Sequence, residues 1–472
     1  MTTEDPMRLG PDRYAVLDHA AGLVKGAWHS FDEARPIEPP MDDQARRALA
    51  QPLPQEATDP QVALDELVHV MDRAIAQSRP RYLAYIGSSG LEIGAVGDLI
   101  TASYDVNLAV DARAASRLEE QTSAWLGEFL GYPAAAGWFT SGGTVSNLSG
   151  LAAARERALP GSRADGMAGV RAAVYCSADA HYSVSRAAEL LGLGSRSVRD
   201  IPVDPTTRRM RTDLLREAVD RDRADAVVPV AVVGTGGTTL TGAVDPLDQL
   251  ADLCDERGIW LHVDGAYGLP AAATSKRRLF AGLERADSIA VDAHKWLFVP
   301  KACSAVLTRH PGAFAAVFSH DEAYMPHDGS APNSVDLTLE YSRPLRALKL
   351  WLAFRVHGAG EFRSALERNL QQAQLCYELA AESPDFQVLS LPPALSVVPV
   401  RHLLPGCPDP DQHNSVLAQR LQEDGRVYIS PATIDGHEWL RPCFTNVRTH
   451  NGDVEVFFEV VRDLGAAMCP GH

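Results

Sequence analysis

The chain has little of what would send it to a membrane, a nucleic acid or an oxidising compartment. Its 472 residues include only seven cysteines: Cys176, Cys254, Cys303, Cys376, Cys407, Cys443 and Cys469. The number is odd, the spacing is wide and no CxxC pair occurs. That argues against a disulfide framework and a structural zinc site, and it suits a reducing cytoplasm. No apolar run is long enough to span a bilayer. The first residues, MTTEDPMRLG, lack the basic-then-apolar pattern of a secretory signal. Lys and Arg total 44 against 61 Asp and Glu, a formal net charge of -17. Such a surface repels phosphate backbones and anionic lipid, so neither nucleic acid nor membrane is an expected partner. The expectation is a soluble cytoplasmic protein without a bound metal.

Hydrophobic residues make up 46% of the chain, enough for a large core. Residues 1–80 read as amphipathic helices broken at RPIEPP (35–40) and QPLPQ (51–55), an arm that packs on something else. From residue 81 the pattern alternates. AAVYCS (172–177), AVVPVAVVG (226–234), IWLHVDGAY (259–267), SIAVDAH (288–294) and ACSAVLT (302–308) are short apolar runs suited to buried strands. Helical stretches lie between several of them, at 145–159, 211–224 and 245–258. In the last, Asp245 is expected to cap the start, Pro246 to occupy the first turn and Gly258 to end the helix. Strand–helix alternation implies an α/β fold with a mostly parallel central sheet covered on both faces. A helix at 346–358 then leads into a smaller C-terminal α+β domain. The expected division is an arm at 1–80, a large domain at 81–350 and a small domain at 351–472.

The sharpest chemical feature is DSIAVDAHKWL (287–297), where Lys295 follows an apolar strand beside Asp292 and His294. Desolvation and neighbouring positive charge make such an amine nucleophilic toward an aldehyde. A lone lysine near a strand end is ordinarily a solvated surface residue; the neighbouring motifs change that reading. LHVDGAYG (261–268) puts Asp264 at the end of a buried strand, where a carboxylate caps a turn or needs a cation. A protonated pyridine nitrogen is one such cation. FTSGGTVSNLSGL (139–151) is a glycine-rich turn opening a helix. Gly142 and Gly143 let backbone N–H groups approach an anion, and Ser141 and Thr144 add hydroxyls. By itself it reads equally as a strand–helix connection. SADAHYS (177–183) places His181 where it caps the next helix or stacks on an aromatic cofactor and moves a proton. VVGTGGTTLTG (232–242) adds Thr235 among glycines.

Taken in order, the glycine-rich turn, AHYS, GTGGTT, HVDGAYG and DAHKW resemble the group II pyridoxal-phosphate-dependent amino acid decarboxylases, over a stretch from RPRYLAYI (79–86) to RALKLW (346–351). The resemblance implies pyridoxal 5'-phosphate as cofactor and the PLP-dependent transferase fold type I (aspartate-aminotransferase-like). It also implies a homodimer with active sites at the subunit interface, the N-terminal arm packing on the partner. It implies residue roles too. Lys295 would form a Schiff base with the cofactor, Asp264 would pair with the pyridine nitrogen, and His181 would stack on the ring with Ala266 on its other face. Thr235 would approach from below. Gly143, Thr144 and His294 would hold the phosphate, with Ser141, Gly142 and Asp292 nearby. Tyr82, Asn107, Ala109, Arg113, Ser334 and Leu337 would fall at the substrate pocket.

The chain departs from the family pattern twice. Many members carry a loop tyrosine associated with protonating the carbanion left after decarboxylation. Here the position falls on Ser334 or, with a gap, Leu337, and Tyr324 and Tyr341 are out of register. Aromatic decarboxylases read FSWxxSPAATELE where this chain reads NLAVDARAASRLEE (107–120), so Ala109 replaces tryptophan and Arg113 replaces proline. That points to a polar, large or acidic amino acid substrate, unless Arg113 pairs with Glu119 or Glu120 on its own helix. The expected reaction is loss of the α-carboxylate. The alternatives are oxidative deamination to an aldehyde and β-elimination. A catalytically silent homologue is the remaining reading, and intact Lys295, Asp264 and His181 argue against it.

Overall fold

The computed structural model describes residues 7–37, 40–320 and 334–468. Three helices come first: α1 (Arg13–Asp32), α2 (Asp43–Leu49) and α3 (Pro60–Met71). Neither α1 nor α3 contains a buried residue. Then follow α4 (Glu92–Tyr104), α5 (Ala114–Leu130), β1 (Ala136–Thr140), α6 (Gly143–Ala158), a short α7 (Ser162–Asp165), β2 (Ala172–Ser177) and α8 (Ser183–Leu190). The chain continues through β3 (Val198–Ile201), α9 (Thr212–Ala224), β4 (Val228–Thr235), α10 (Leu247–Arg257), β5 (Trp260–Asp264), β6 (Ser288–Asp292), α11 (Ala293–Trp296), β7 (Ser304–Thr308) and α12 (Ala315–Phe318). Last come α13 (Ala347–Ala381), β8 (Phe386–Val388), β9 (Val400–His402), α14 (Pro410–Asp424), β10 (Ser430–Ile434), β11 (His437–Arg441) and α15 (Asn451–Ala466).

The large sheet has seven strands in the order β1-β7-β6-β5-β4-β2-β3. Only β7 runs against its neighbours; β6, β5, β4, β2 and β3 pair in parallel. Every residue of β5, β6 and β7 is buried, because helices cover both faces of a parallel sheet and leave no polar side for alternation. The second sheet, β10-β11-β9-β8, is antiparallel, and β10 alternates buried and exposed residues as a one-sided sheet should. The α/β class expected from the sequence is the one found.

One local expectation differs from the structure. Asp245 does not cap α10, whose N-cap is Pro246. Its carboxylate is buried and accepts from the amides of Met210 and Thr235, both at 2.8 Å, so a loop and a strand end take the acceptor instead. Gly258 does end the helix, at φ 65°. The helix read at 346–358 is the first part of α13: Gly358 (φ 73°, ψ 155°) is non-helical, a conformation that glycine adopts without a Cβ penalty, and a second helix continues beyond this kink to Ala381. Residues 81–83 hydrogen-bond with Tyr428 and Cys443, so the start of the central region is stitched to the C-terminal one.

Candidate active site

The parallel strands end on one edge of the sheet. There Thr235 closes β4, Asp264 closes β5 and Asp292 closes β6, with Thr235 and Asp264 paired in register. Crevices at the carboxyl ends of such strands are where open α/β sheets bind ligands. A cavity of about 210 Å³ lies there, and its wall includes Thr144, His181, Thr235, Asp264, Asp292 and Lys295.

Lys295 sits on the single turn α11, whose start at the end of β6 aims the amine into the cavity. Its Nζ lies 2.9 Å from Asp292 Oδ2. Asp292 is almost wholly buried and also accepts from Ser304 Oγ. The Asp264 carboxylate accepts from Asn147 Nδ2 at 2.9 Å and from the Ala266 amide at 3.1 Å. His181 Nδ1 lies 2.9 Å from Ser183 Oγ. Burial lowers the His181 pKa below its ordinary value; Lys295 adds to this and the Asp264 and Asp292 charges oppose it, so the ring is neutral near pH 7. His294 is lowered for the same first reason, and its Nδ1 is engaged with the Cys303 carbonyl at 2.9 Å.

Helix α6 begins at Gly143, and the first amides of a helix have no carbonyl within their own turn to bond. A Cβ on Gly143 would stand 3.0 Å from both the Ala266 methyl and the Asp292 carboxylate, so only glycine lets the turn approach so closely. Of the cofactor-binding candidates, Gly143, Thr144, His181, Thr235, Asp264, Ala266, Asp292 and Lys295 line the cavity. Ser141, Gly142 and His294 stand beside it, Ser141 exposed and His294 buried.

The six substrate-pocket candidates do not meet the cavity within one chain. Tyr82 is buried and stacks on Tyr428, with ring centroids 5.3 Å apart. Asn107 caps its own segment, accepting from Ala109 and Arg343 amides. Ala109 is buried, and its carbonyl accepts from Val335 N. Ser334 and Leu337 are buried at the ends of a 3-10 turn. Arg113 is exposed; Glu119 pairs with Arg343 and Glu120 with Arg117, so the pairing considered for Arg113 is replaced by these. Tyr324 lies outside the described residues.

Several lining residues were not anticipated. Tyr85 and Ile86 form part of the wall in consecutive left-handed conformations, φ 53° and 49°. Such backbone is costly for residues with a Cβ and gathers at functional sites. Asn147, Ser183 and Thr239 also line it. Asn147 and Ser183 stood within the motifs read above, but only the folded geometry shows that they touch Asp264 and His181.

Fold and cavity together define a fold-type-I pyridoxal-phosphate enzyme. The chain belongs to the pyridoxal-dependent decarboxylases: the family model for the pyridoxal-dependent decarboxylase conserved domain matches residues 43–401. It is 30% identical over 451 residues to an aromatic-L-amino-acid decarboxylase of Bacillus atrophaeus, covering 92% of this chain and 90% of that one. It is 32% identical to an L-2,4-diaminobutyrate decarboxylase of Rhizobium meliloti, covering 89% and 85%. It is 26% identical to a phenylacetaldehyde synthase of Petunia hybrida, covering 82% and 81%. Among solved structures, an Oryza sativa TDC with PLP and tryptamine superposes with a TM-score of 0.92 at 24% identity, covering 99% of this chain and all of that one. The cofactor is pyridoxal phosphate.

The cavity suits it. Asp264 is a buried carboxylate whose two partners are an amide side chain and a backbone N–H, leaving its charge uncompensated until a cation arrives. Thr235 Oγ1 is buried without a hydrogen-bond partner.

Proposed function

We propose that this chain removes the α-carboxylate of an amino acid, with Lys295 binding the cofactor aldehyde, Asp264 facing the pyridine nitrogen and His181 lying on the ring. The observation that carries this reading is one cavity holding the amine, the buried carboxylate and the neutral imidazole, with the start of α6 at its edge. The bound cofactor supplies an electron sink for the pair left at Cα when carbon dioxide departs. The protein supplies the rest. Asp264 keeps a proton on the ring nitrogen. The Gly143–Thr144 turn meets the phosphate, assisted by His294. Asp292 holds Lys295 Nζ at 2.9 Å, in the place from which it would bind the cofactor aldehyde. His181, neutral, carries a proton to or from the reacting carbon through Nε2.

The working unit in this proposal is a homodimer in a reducing cytoplasm. Leu17 and Val24 on α1, Leu67 on α3 and Leu99 on α4 are exposed in the single chain, which suits an arm covered by a second copy. The dimer would also bring Asn107, Ala109, Arg113, Ser334 and Leu337 to a partner's cavity. All six described cysteines are free thiols. No helix among the described residues is long and apolar enough to cross a membrane.

A second product is favoured by one observation. Ser334 and Leu337, the positions matched to the loop tyrosine, are buried and carry no phenol. A carbanion protonated slowly reacts with dioxygen. The amino acid, dioxygen and water then give aldehyde, carbon dioxide, ammonia and hydrogen peroxide. A panel of polar and aromatic amino acids, assayed by mass spectrometry with and without oxygen, decides between them. Amine alone, with no oxygen uptake, removes the aldehyde reading; no turnover of any amino acid despite bound cofactor removes both.

A further inference from the structure

Behind Asp264 lies a chain of buried side chains that the reaction does not itself require. Trp260 Nε1 lies 2.8 Å from Ser288 Oγ, and Ser288 Oγ lies 2.8 Å from His262 Nδ1. His262 Nε2 lies 2.9 Å from Asn147 Oδ1, and Asn147 Nδ2 reaches both Asp264 Oδ2 and Ser183 Oγ at 2.9 Å. Ser183 Oγ in turn lies 2.9 Å from His181 Nδ1. Trp260, Ser288, His262, Asn147 and Ser183 are each no more than 3% exposed.

The two ends of this chain fix its direction. An indole N–H only donates, and an ionised carboxylate only accepts. Asp264 takes one Asn147 N–H and Ser183 the other, so Asn147 Oδ1 faces His262 and accepts the proton carried on Nε2. The Nδ1 of that neutral imidazole then accepts from Ser288, whose oxygen accepts from Trp260. Ser183 passes its hydrogen to His181 Nδ1, which the Ser183 amide also approaches at 3.3 Å, so the His181 proton is on Nε2. These tautomers follow from donor and acceptor roles.

We propose that the Asn147–His262 pair positions both cofactor-facing groups at once, orienting the Asp264 carboxylate and fixing the Ser183 hydroxyl that bonds His181 Nδ1. The inference rests on the roles proposed above for Asp264 and His181. Both Asn147 and His262 are positioning residues, and neither is asked to touch substrate. Gly150 makes room for the arrangement: a Cβ there would stand 2.6 Å from the His262 ring. Burial also pushes the His262 pKa down to about 4, which keeps the imidazole in the neutral form that the chain requires. Without the His262 donor, Asn147 Oδ1 is left buried and unpaired, and the amide no longer holds Asp264 and Ser183 from a fixed position.

Histidine-15N-labelled apoprotein, read by long-range nitrogen–proton correlation, tests the wiring before any cofactor is added. His262 and His181 are expected as Nε2–H tautomers. Ser288→Ala and Asn147→Leu should each turn His262 into a mixture, the first by removing the donor to Nδ1 and the second by removing the acceptor at Nε2. In the loaded enzyme, His262→Phe should lower kcat by about 10- to 100-fold, the range seen when outer partners of metal ligands are removed. KM should change little, and His262→Gln, which keeps a donor, should recover most of the rate. An Nδ1–H tautomer at His262 in the unsubstituted chain would overturn the proposal. So would His262→Phe with an unchanged kcat. If His262→Phe does not fold, the Ser288→Ala tautomers decide alone, and an unchanged His262 signal there counts against the wiring. Failure of the unsubstituted chain to bind cofactor at Lys295 would instead overturn the functional reading, leaving the apoprotein tautomers to stand on their own.

Discussion

Arg343 and Glu119 face each other inside the protein, with both guanidinium–carboxylate pairs at 2.6 Å and neither side chain more than 2% exposed. The pair also secures backbone. Glu119 accepts from the Phe139 amide, the Arg343 amide donates to Asn107, and the Arg343 carbonyl accepts from Leu108. One ion pair thus ties α5, strand β1 and the segments around 107–109 and 343 together.

Removing one partner leaves a buried charge alone. Arg343→Met or Glu119→Gln should each destabilise the chain by about 3–5 kcal/mol, measured by urea unfolding. The double substitution should cost less than the sum of the two, because neither charge is then stranded. Additive losses would show that the pair is not a coupled unit.

Lys295 should carry the cofactor. Borohydride reduction followed by peptide mapping is expected to place the pyridoxyl label on Lys295, and Lys295→Ala should lose it. Lys301 is the informative rival, since burial and the Lys295 charge lower its pKa. A label on Lys301 would falsify the assignment.

Asp264→Asn should still bind cofactor, because the phosphate and ring contacts remain. It should turn over about 10- to 150-fold more slowly, the loss of roughly 1.5–3 kcal/mol expected for a hydrogen bond to a charged group. Turnover equal to the unsubstituted enzyme rejects the role.

Acid should weaken the small domain through His402. Its Nδ1 lies 2.9 Å from His413 Nε2, and burial, followed by the neighbouring His413, lowers its pKa to about 4; Asp385 opposes this and Arg462 adds to it. A depressed folded-state pKa means that the folded chain resists protonation. This contribution is therefore intact above the ordinary histidine range near pH 6.5 and is lost as pH falls toward 4. Thermal unfolding of His402→Gln should decline less between pH 6.5 and 4 than that of the unsubstituted chain. Parallel declines would place the sensitivity elsewhere.

The proposed dimer is open to a direct measurement. Leu17→Glu combined with Leu99→Glu should shift the mass seen by light scattering from two chains to one, with little change in far-ultraviolet circular dichroism, since both positions are exposed in the single chain. Loss of turnover should accompany dissociation if the partner completes the site.

The strands buried on both faces were legible because a run such as SIAVD has no polar alternation to confuse. Strands β1 and β3 were not picked out. The first contains a glycine and is only partly buried, and the second is an edge strand carrying Arg199 and Asp200. Lys295, Asp264 and His181 were legible as candidates because each lies at or just past the end of a buried strand, where a charged or polar side chain needs a reason. Tyr85 and Ile86 gave no such signal. They lie just past Leu83, whose carbonyl accepts from Cys443 N, a partner distant in sequence. Asp245 misled because a carboxylate ahead of a proline and an apolar helix has the local pattern of a cap. Only the fold shows the Met210 and Thr235 amides that claim it.

Strand β7 runs against the rest of its sheet, so its first residue lies level with the last residues of its neighbours. Ser304 pairs in register with Asp292 on one side and Thr140 on the other. The chain therefore goes from Trp296 to Ser304 without leaving the edge that holds the cavity. A crossover helix, which parallel neighbours would require, is unnecessary there. This short return is a place where length itself is constrained: Lys349 Nζ reaches the carbonyls of Pro300 and Lys301 at 3.4 and 3.3 Å. Added residues would displace the lysine turn on one side or Ser304 on the other. The opposite end of β7, at Thr308, leads away from the cavity.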